Sequence, residues 1–229
     1  RGHAMGSNRV IVIGAGIGGL VSALELAAQG VDVLVLERAG APGGKMRQVG
    51  AGENAMDAGP TVFTMRWVFE ELFASVGAHL ADHLDLQPVG ILARHAWPDG
   101  SRLDLFGDVE KTADAVGQFA GPREAHGYRR FCAYARDIHE AVEAPFLMAE
   151  RPNLVSIVKA IGSIGLGALI KMDGTRTMWG SLGDFFQDPR LCQLFGRYAT
   201  YSGSSPFMAP ATLNVIAHVE REGVWLVRG

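Results

Sequence analysis

The chain has 229 residues, of which 48% are hydrophobic and 20% are charged; this composition is typical of a globular protein. The length allows one or two domains with a sizeable core. The net charge of −3 excludes a general basic field, so we expect no nucleic-acid partner. Cys132 and Cys192 form no CxxC motif, which argues against a disulfide framework or a zinc site and fits a reducing cytoplasm.

The two ends of the chain and its most apolar stretch are considered as tag, signal-peptide or membrane segments. We expect Arg1–Ser7 to be the remnant of an expression tag with no signal peptide behind it, and the end at Gly229 suggests a piece of a longer protein. No stretch reaches the roughly 18 uncharged apolar residues of a membrane-spanning helix. Residues 154–170 come nearest, and they include Lys159. Two interpretations stay open for them: a helix lying in the membrane interface, or a buried helix.

The first elements of the chain predict a βαβ unit. Val10–Ile13 is a short β-branched run typical of a strand that is buried on both faces. After a glycine-rich break, Leu20–Gln29 predicts a helix that Gly30 ends. Val31–Leu36 predicts the second strand. Strand, turn, helix and strand in this order are the beginning of a Rossmann-like α/β fold.

The glycine-rich break carries the chemistry. It fits G-x-G-x-x-G through Gly14, Gly16 and Gly19, which would make the turn, admit a pyrophosphate and let the helix pack closely on the sheet. The helix start presents free N–H groups and a positive dipole end to phosphates. Glu37 follows the second strand, where an acidic side chain accepts hydrogen bonds from ribose hydroxyls. The context predicts a dinucleotide site.

The next segment, Ala39–Gly59, is rich in glycine, and we predict a loop with little regular structure. Within it, the pair Gly43 and Gly44 with Lys45 suits further backbone approach to a long, bent dinucleotide. A tight loop at residues 56–61 follows. Asp57 in that loop is a candidate catalytic base, although Asp is also common in turns for conformational reasons.

Beyond residue 64 the pattern predicts a hairpin and helices. We predict a helix over Thr64–Val76, and a β-hairpin of Ile91–Trp97 with Arg102–Phe106 around the turn Pro98–Ser101. Residues 109–146 are predicted to be helical, with an amphipathic stretch over Arg123–Val142. Its apolar residues are Tyr128, Phe131, Tyr134, Ile138 and Val142. Short helices are predicted over Ser181–Phe186, Pro189–Tyr198 and Pro210–Val219. His79 and His83 imitate a metal pair, but without a third ligand we expect two surface histidines.

Together these motifs resemble a known family. V-I-G-A-G-I-G-G-L, E-R, P-G-G-K and D-A-G-P-T, in this order, are similar to the phytoene desaturase family of FAD-dependent carotenoid desaturases, within the flavin amine oxidase superfamily, and most like its 1-hydroxycarotenoid 3,4-desaturases of purple photosynthetic bacteria. The resemblance implies a Rossmann-like FAD-binding domain with an inserted α+β substrate domain. It implies cofactor contacts at Gly14, Ala15, Gly16, Ile17, Gly18, Gly19, Glu37, Arg38, Gly44, Lys45, Gly59, Pro60 and Thr61.

The same resemblance implies a domain division and an activity. We expect the first part of the FAD-binding domain at residues 8–64, the substrate domain at 65–222 and a return to the FAD domain at 223–229, with a second FAD segment lying beyond this chain. The implied reaction is C3–C4 desaturation of a 1-hydroxy or 1-methoxy acyclic carotene by hydride transfer to flavin. The implied location is cytoplasmic, at the surface of the inner or photosynthetic membrane. No catalytic residue is singled out.

Two other functions stay open at this point. One is a phytoene desaturase or another flavin amine oxidase-like oxidoreductase. The other belongs to a different class: a non-enzymatic lipid-binding protein resembling the Rab GDP-dissociation inhibitors, which share the fold. The presence of Glu37 and of the Gly43–Gly44 pair favours the flavin enzyme.

Overall fold

A computed structural model describes residues 9–60, 62–143 and 166–228. The chain divides into two compact units, Arg1–Gln87 with Trp225–Gly229, and Pro88–Val224. The first unit is therefore discontinuous in sequence. This division follows packing alone, whereas the predicted bounds 8–64, 65–222 and 223–229 assign cofactor and substrate roles and stay a prediction.

The first unit opens with the βαβ arrangement. Strand β1 (Val10–Ile13) runs parallel to β2 (Val33–Leu36), with Val10 opposite Val33 and Ile13 opposite Leu36. Helix α1 (Ile17–Ala28) connects the two strands. The helix begins three residues before the predicted start, because Gly18 and Gly19 adopt helical backbone instead of extending the turn.

The predicted loop Ala39–Gly59 is partly wrong. It contains an antiparallel hairpin of β3 (Gln48–Ala51) and β4 (Asn54–Asp57), with Gly52 at φ 65° in the turn. Asn54–Asp57 does not alternate between apolar and polar residues, and every residue of β4 is exposed, so this strand lacks the pattern that identifies a half-buried strand. That absence explains why the sequence pattern missed it.

In the rest of the first unit, the sequence pattern predicted the helix but not the two strands. Helix α2 (Arg66–Ser75) is two residues shorter at its start than the predicted Thr64–Val76, and Gly77 follows it at φ 77°. A single 3-10 turn covers Leu80–Asp82. Strand β5 (Asp85–Pro88) then pairs with the last strand, β8 (Trp225–Arg228).

The second unit begins with the predicted hairpin. Strands β6 (Ala93–Ala96) and β7 (Arg102–Leu105) are antiparallel, with Ala96 opposite Arg102. Gly100 takes φ 83°, and the amide of Trp97 donates to the carbonyl oxygen of Ser101 at 3.0 Å. A positive φ costs glycine little, so the turn forms where the sequence predicted it.

Helices make up the remainder of the second unit. Asp108 and Asp188 cap two of them, because each carboxylate accepts a backbone N–H of the following turn. The predicted helix Ser181–Phe186 is shifted towards the N-terminus, since Thr177 supplies the N-cap. The helices are α3 (Val109–Ala120), α4 (Pro122–Val142), α5 (Leu166–Met172), α6 (Met178–Leu182), α7 (Pro189–Gly196) and α8 (Val215–Glu222).

An aromatic cluster forms the core of the second unit. Phe131 of α4 and Phe195 of α7 are 0% and 1% exposed, with ring centroids 4.9 Å apart. Phe186 stacks on Phe195 at 4.9 Å. Tyr128 and Ile138, which share the predicted apolar face of α4, are buried as well. The amphipathic pattern of the long helix therefore identified its core face correctly.

In the described ranges, no helix combines the length and the apolar character needed to cross a membrane. Of the predicted segment 154–170, residues 154–165 lie outside the described part of the chain. Helix α5 includes its end, where Ile170 is 72% exposed. Both interpretations of this segment stay open.

Candidate dinucleotide-binding site

The predicted glycine loop joins β1 to the start of α1. Gly14 takes φ 98° and its amide donates to the carbonyl oxygen of Leu36 on β2 at 2.7 Å. Gly16 is the extended N-cap of α1, with no side-chain cap. The first amides of a helix have no intrahelical acceptor. The loop therefore ends in N–H groups and a positive dipole end that suit a phosphate.

Gly19 allows α1 to approach the loop closely. A Cβ at this position would overlap the carbonyl oxygen of Gly14 and lie 3.4 Å from Cγ1 of Val12. A Cβ at Gly14 or Gly18 would meet nothing within 4 Å. The glycine at position 19 thus serves internal packing, whereas Gly18 borders open space at the helix start.

A second glycine segment, Gly43 with Gly44, packs onto this loop, and Gly59 packs in turn onto Lys45. The amide of Gly43 donates to the carbonyl oxygen of Ala15 at 2.8 Å. A Cβ on Gly44 would lie 3.0 Å from Cα of Gly16, and a Cβ on Gly59 would overlap the carbonyl oxygen of Lys45. Three glycine segments that are separate in the sequence therefore pack together through backbone contacts. At these contacts only glycine leaves enough space.

Glu37 is held against the same loop. One carboxylate oxygen accepts the amide of Ala15 at 2.7 Å, and the other accepts the amide of Ala39 at 2.8 Å. These backbone hydrogen bonds, with Ala39 contributing most, lower the pKa of Glu37 below its usual value. The side chain is therefore an anion at neutral pH. Each oxygen has a second acceptor position for a donor such as a ribose hydroxyl.

The other predicted contacts lie on the exposed side of these loops. Arg38, Lys45 and Pro60 are exposed, and Ile17 is 55% exposed. Thr61 lies outside the described residues. Which of these groups touches a ligand stays a prediction.

Asp57, the candidate base, ends strand β4 rather than occupying a turn. Its carboxylate accepts a hydrogen bond from Nε2 of Gln48 at 3.1 Å. This hydrogen bond joins the two strands of the hairpin and gives Asp57 a structural role. A catalytic role for Asp57 stays a hypothesis.

The residues present fit the ADP part of a dinucleotide. The loop offers unshielded amides at the start of α1 and open space where a Cβ at Gly18 would project. A fixed carboxylate stands beside the same amides at Glu37. Anionic pyrophosphate and neutral hydroxyl donors thus have complementary partners in one place.

The histidines of the sequence differ in their surroundings. His79 and His83 are exposed on either side of the 3-10 turn, and the ring of His83 packs on Phe73. Within the described ranges, the metal-capable group of three is instead His139, His218 and Glu222. Sequence reasoning missed it, because His139 is far from the other two along the chain. The only local signal was the spacing of four between His218 and Glu222.

The comparisons with known proteins agree with this geometry. Residues 12–76 match the family of NAD(P)-binding Rossmann-like domains. A hydroxyneurosporene desaturase of Rubrivivax gelatinosus is 53% identical over 224 residues, 97% of this chain and 43% of that protein. Another, of Rhodobacter capsulatus, is 46% identical over 96% of this chain and 44% of that protein. The predicted resemblance to carotenoid desaturases is confirmed. The chain spans less than half the length of these desaturases.

Solved structures confirm the predicted fold class. A double mutant of putrescine oxidase superposes with a TM-score of 0.55 at 16% identity, covering 92% of this chain and 41% of that one. An oxidoreductase from Methanosarcina mazei gives a TM-score of 0.53 at 15% identity, covering 96% and 46%. At such identities the likeness concerns the fold alone. It is the Rossmann-like fold with mixed helices and strands that the glycine motif predicted.

Proposed function

We propose that this chain is the dinucleotide-binding part of an FAD-dependent carotenoid desaturase that introduces a C3–C4 double bond into a 1-hydroxy or 1-methoxy acyclic carotene. The observation that carries the proposal is the identity of 44–53% to three proteins named hydroxyneurosporene desaturase, over 96–97% of this chain. Shared sequence of this extent continues through both compact units, so it is not limited to the glycine motif.

FAD is the proposed cofactor, and its ADP half would lie on the glycine loop. The amides at the start of α1 would bind the pyrophosphate, and the Glu37 carboxylate would accept hydrogen bonds from the ribose hydroxyls. Gly43, Gly44 and Gly59 hold the neighbouring loops close to this surface. Arg38 and Lys45, both exposed, supply positive charge. When bound, FAD would accept the hydride that leaves one carbon of the substrate, while the neighbouring carbon loses a proton.

The first experiment measures cofactor binding. The 229-residue chain is titrated with ADP and with FAD by calorimetry, beside the variant Glu37→Gln. We expect ADP to bind to the wild-type chain, and more weakly to the variant because an amide has only one acceptor oxygen. Equal affinity in both proteins would contradict the role of Glu37, and no affinity for ADP or FAD in the wild type would contradict the site.

The second experiment measures the reaction in a protein of the relatives' full length. It is incubated with FAD and a 1-hydroxy acyclic carotene, and the product is followed by its absorbance, which shifts to longer wavelength as the conjugated system gains a double bond. Phytoene and a monoamine are the comparison substrates. Turnover of either comparison substrate instead would favour the alternative enzymes, and a colourless protein that takes up no FAD would favour the lipid-binding alternative.

Peripheral membrane association at the cytoplasmic face is proposed as well, because a carotene is insoluble in water and must be collected from a bilayer. Residues 154–170 are the proposed contact, supported by the 72% exposure of Ile170 at the described end of the segment. Liposome flotation of the chain with and without residues 154–170 tests it. We expect flotation to fall on deletion, and unchanged flotation would exclude this segment.

A further inference from the structure

Three metal-capable side chains meet where α4 and α8 pack in the second unit. His139 comes from the last turn of α4, and His218 and Glu222 lie one turn apart on α8. One ligand atom of each residue lies within 4.8 Å of the corresponding atoms of the other two. Residues separated by four positions share a helix face, so α8 presents its pair together towards α4.

The two imidazoles are close and largely shielded from water. Their ring centroids are 4.6 Å apart at 45°, and His139 is 8% exposed. Nε2 of His218 lies 3.2 Å from a carboxylate oxygen of Glu222, whose side chain is 44% exposed. The cluster is therefore closed on the histidine side and open to solvent at the carboxylate.

We propose that His139, His218 and Glu222 bind a divalent transition-metal ion of the zinc class. Two imidazole nitrogens and a carboxylate oxygen are a common three-residue set for Zn²⁺, with water as the fourth ligand. With metal–ligand distances of about 2.1 Å, tetrahedral ligand atoms lie about 3.4 Å apart. The side chains of the cluster need to contract only modestly from their upper separation of 4.8 Å.

Arg221 disfavours metal binding by His218, because it holds the imidazole in the tautomer that is protonated at Nε2. Its Nη2 lies 3.0 Å from Nδ1 of His218. Because a guanidinium only donates, Nδ1 accepts and the ring proton sits on Nε2, facing Glu222. Ligation through Nε2 would move that proton to Nδ1, and Arg221 would turn away. The guanidinium already lies 3.3 Å from the carbonyl oxygens of Ala217 and Cys132, so it retains partners when it releases His218.

Occupancy would link two helices that are distant in sequence. His139 is separated from His218 by 78 intervening residues, so a bound ion would join α4 to α8 directly. A ligand that binds only the folded state stabilises it by mass action. The midpoint of thermal unfolding should therefore rise with metal concentration.

Co²⁺ alone is the probe, because its visible absorption reports four-coordinate binding. The 229-residue chain is titrated and its spectrum compared with those of His139→Gln and Glu222→Gln. Glu222 is exposed, so Glu222→Gln leaves the fold intact. It still tests the site if the variant of the buried His139 unfolds. Removal of a ligand should weaken Co²⁺ binding at least about tenfold, since loss of even an outer-shell partner costs about 10–100-fold. His79→Gln with His83→Gln is the matched control and should bind as the wild type does.

Arg221→Gln gives a second test in the opposite direction. Removal of the guanidinium frees Nδ1 of His218 for the proton, so Co²⁺ should bind more tightly than to the wild type. One equivalent of Co²⁺ with a strong visible band that is lost in Glu222→Gln would support the site. Three results would overturn the proposal: no band in the wild type, the same affinity for Co²⁺ in Glu222→Gln as in the wild type, or a loss of Co²⁺ binding only in the His79 and His83 variant.

Discussion

The substitution Gly19→Ala probes the close packing of α1 on the glycine loop. The new Cβ would overlap the carbonyl oxygen of Gly14, a backbone atom that no side-chain rotation can move. Gly18→Ala is the matched control, because a Cβ there meets nothing within 4 Å. Both positions have helical backbone in the first turn of α1.

The comparison of the two variants isolates the overlap. Replacing glycine by alanine in a helix gains up to about 1 kcal/mol, and both variants share this gain. Overpacking costs about 1–3 kcal/mol, and only Gly19→Ala incurs it. We therefore expect α1 to be less stable in Gly19→Ala than in Gly18→Ala by about 1–3 kcal/mol.

Hydrogen exchange of the α1 amides, read by mass spectrometry, measures this difference locally and does not depend on the second unit. ADP affinity is measured on the same proteins, because displacement of the helix start should also displace the amides that are proposed to bind the phosphates. Equal protection of α1 in the two alanine variants would refute the argument from close packing.

Three other outcomes test the electrostatics and the core. The pKa of Glu37 lies below its usual value of 4.5, so the ionised carboxylate stabilises the loop fully above pH 4.5 and less as the pH falls further. ADP binding, measured by calorimetry, should therefore decline on acidification below pH 4.5. An affinity that does not change with pH would contradict this. Phe195→Ala removes a ring that is 1% exposed and should lower the free energy of unfolding in urea by about 3–5 kcal/mol, whereas an effect below about 1 kcal/mol would argue against its core position. Asp188→Ala removes the cap of α7 and should cost about 0.5–2 kcal/mol, while Asp188→Asn, which retains a cap, should cost less; equal losses in thermal unfolding would exclude capping as the cause.

The predicted elements that agree with the structure are those whose residues are close together in the sequence. The order of β1, the glycine loop, α1, β2 and Glu37 is continuous in the chain, and the structure has these elements in that order. The hairpin around Gly100 also followed from its turn residues. The β3–β4 hairpin did not, because the residues of β4 are exposed and do not alternate between apolar and polar types.

The site was predictable in its parts and not in its assembly. The motif alone predicts that Gly14 to Gly19 face a dinucleotide and that Glu37 lies near the ribose, and both stay predictions. It did not indicate that Glu37 is held by the amides of Ala15 and Ala39. A backbone hydrogen bond of this kind depends on loop conformation, which side-chain identity does not encode locally.

The sequence by itself therefore determined the Rossmann-like start of the chain and its resemblance to carotenoid desaturases, because turn chemistry, periodicity and motif spacing act over short stretches. Only the tertiary structure decided that Gly43 and Gly44 pack onto the first glycine loop, that Gly59 packs onto Lys45, and that His139 meets His218 and Glu222. Those contacts join residues that are distant in the chain. Their proximity results from the packing of whole helices and loops, which no short sequence pattern specifies.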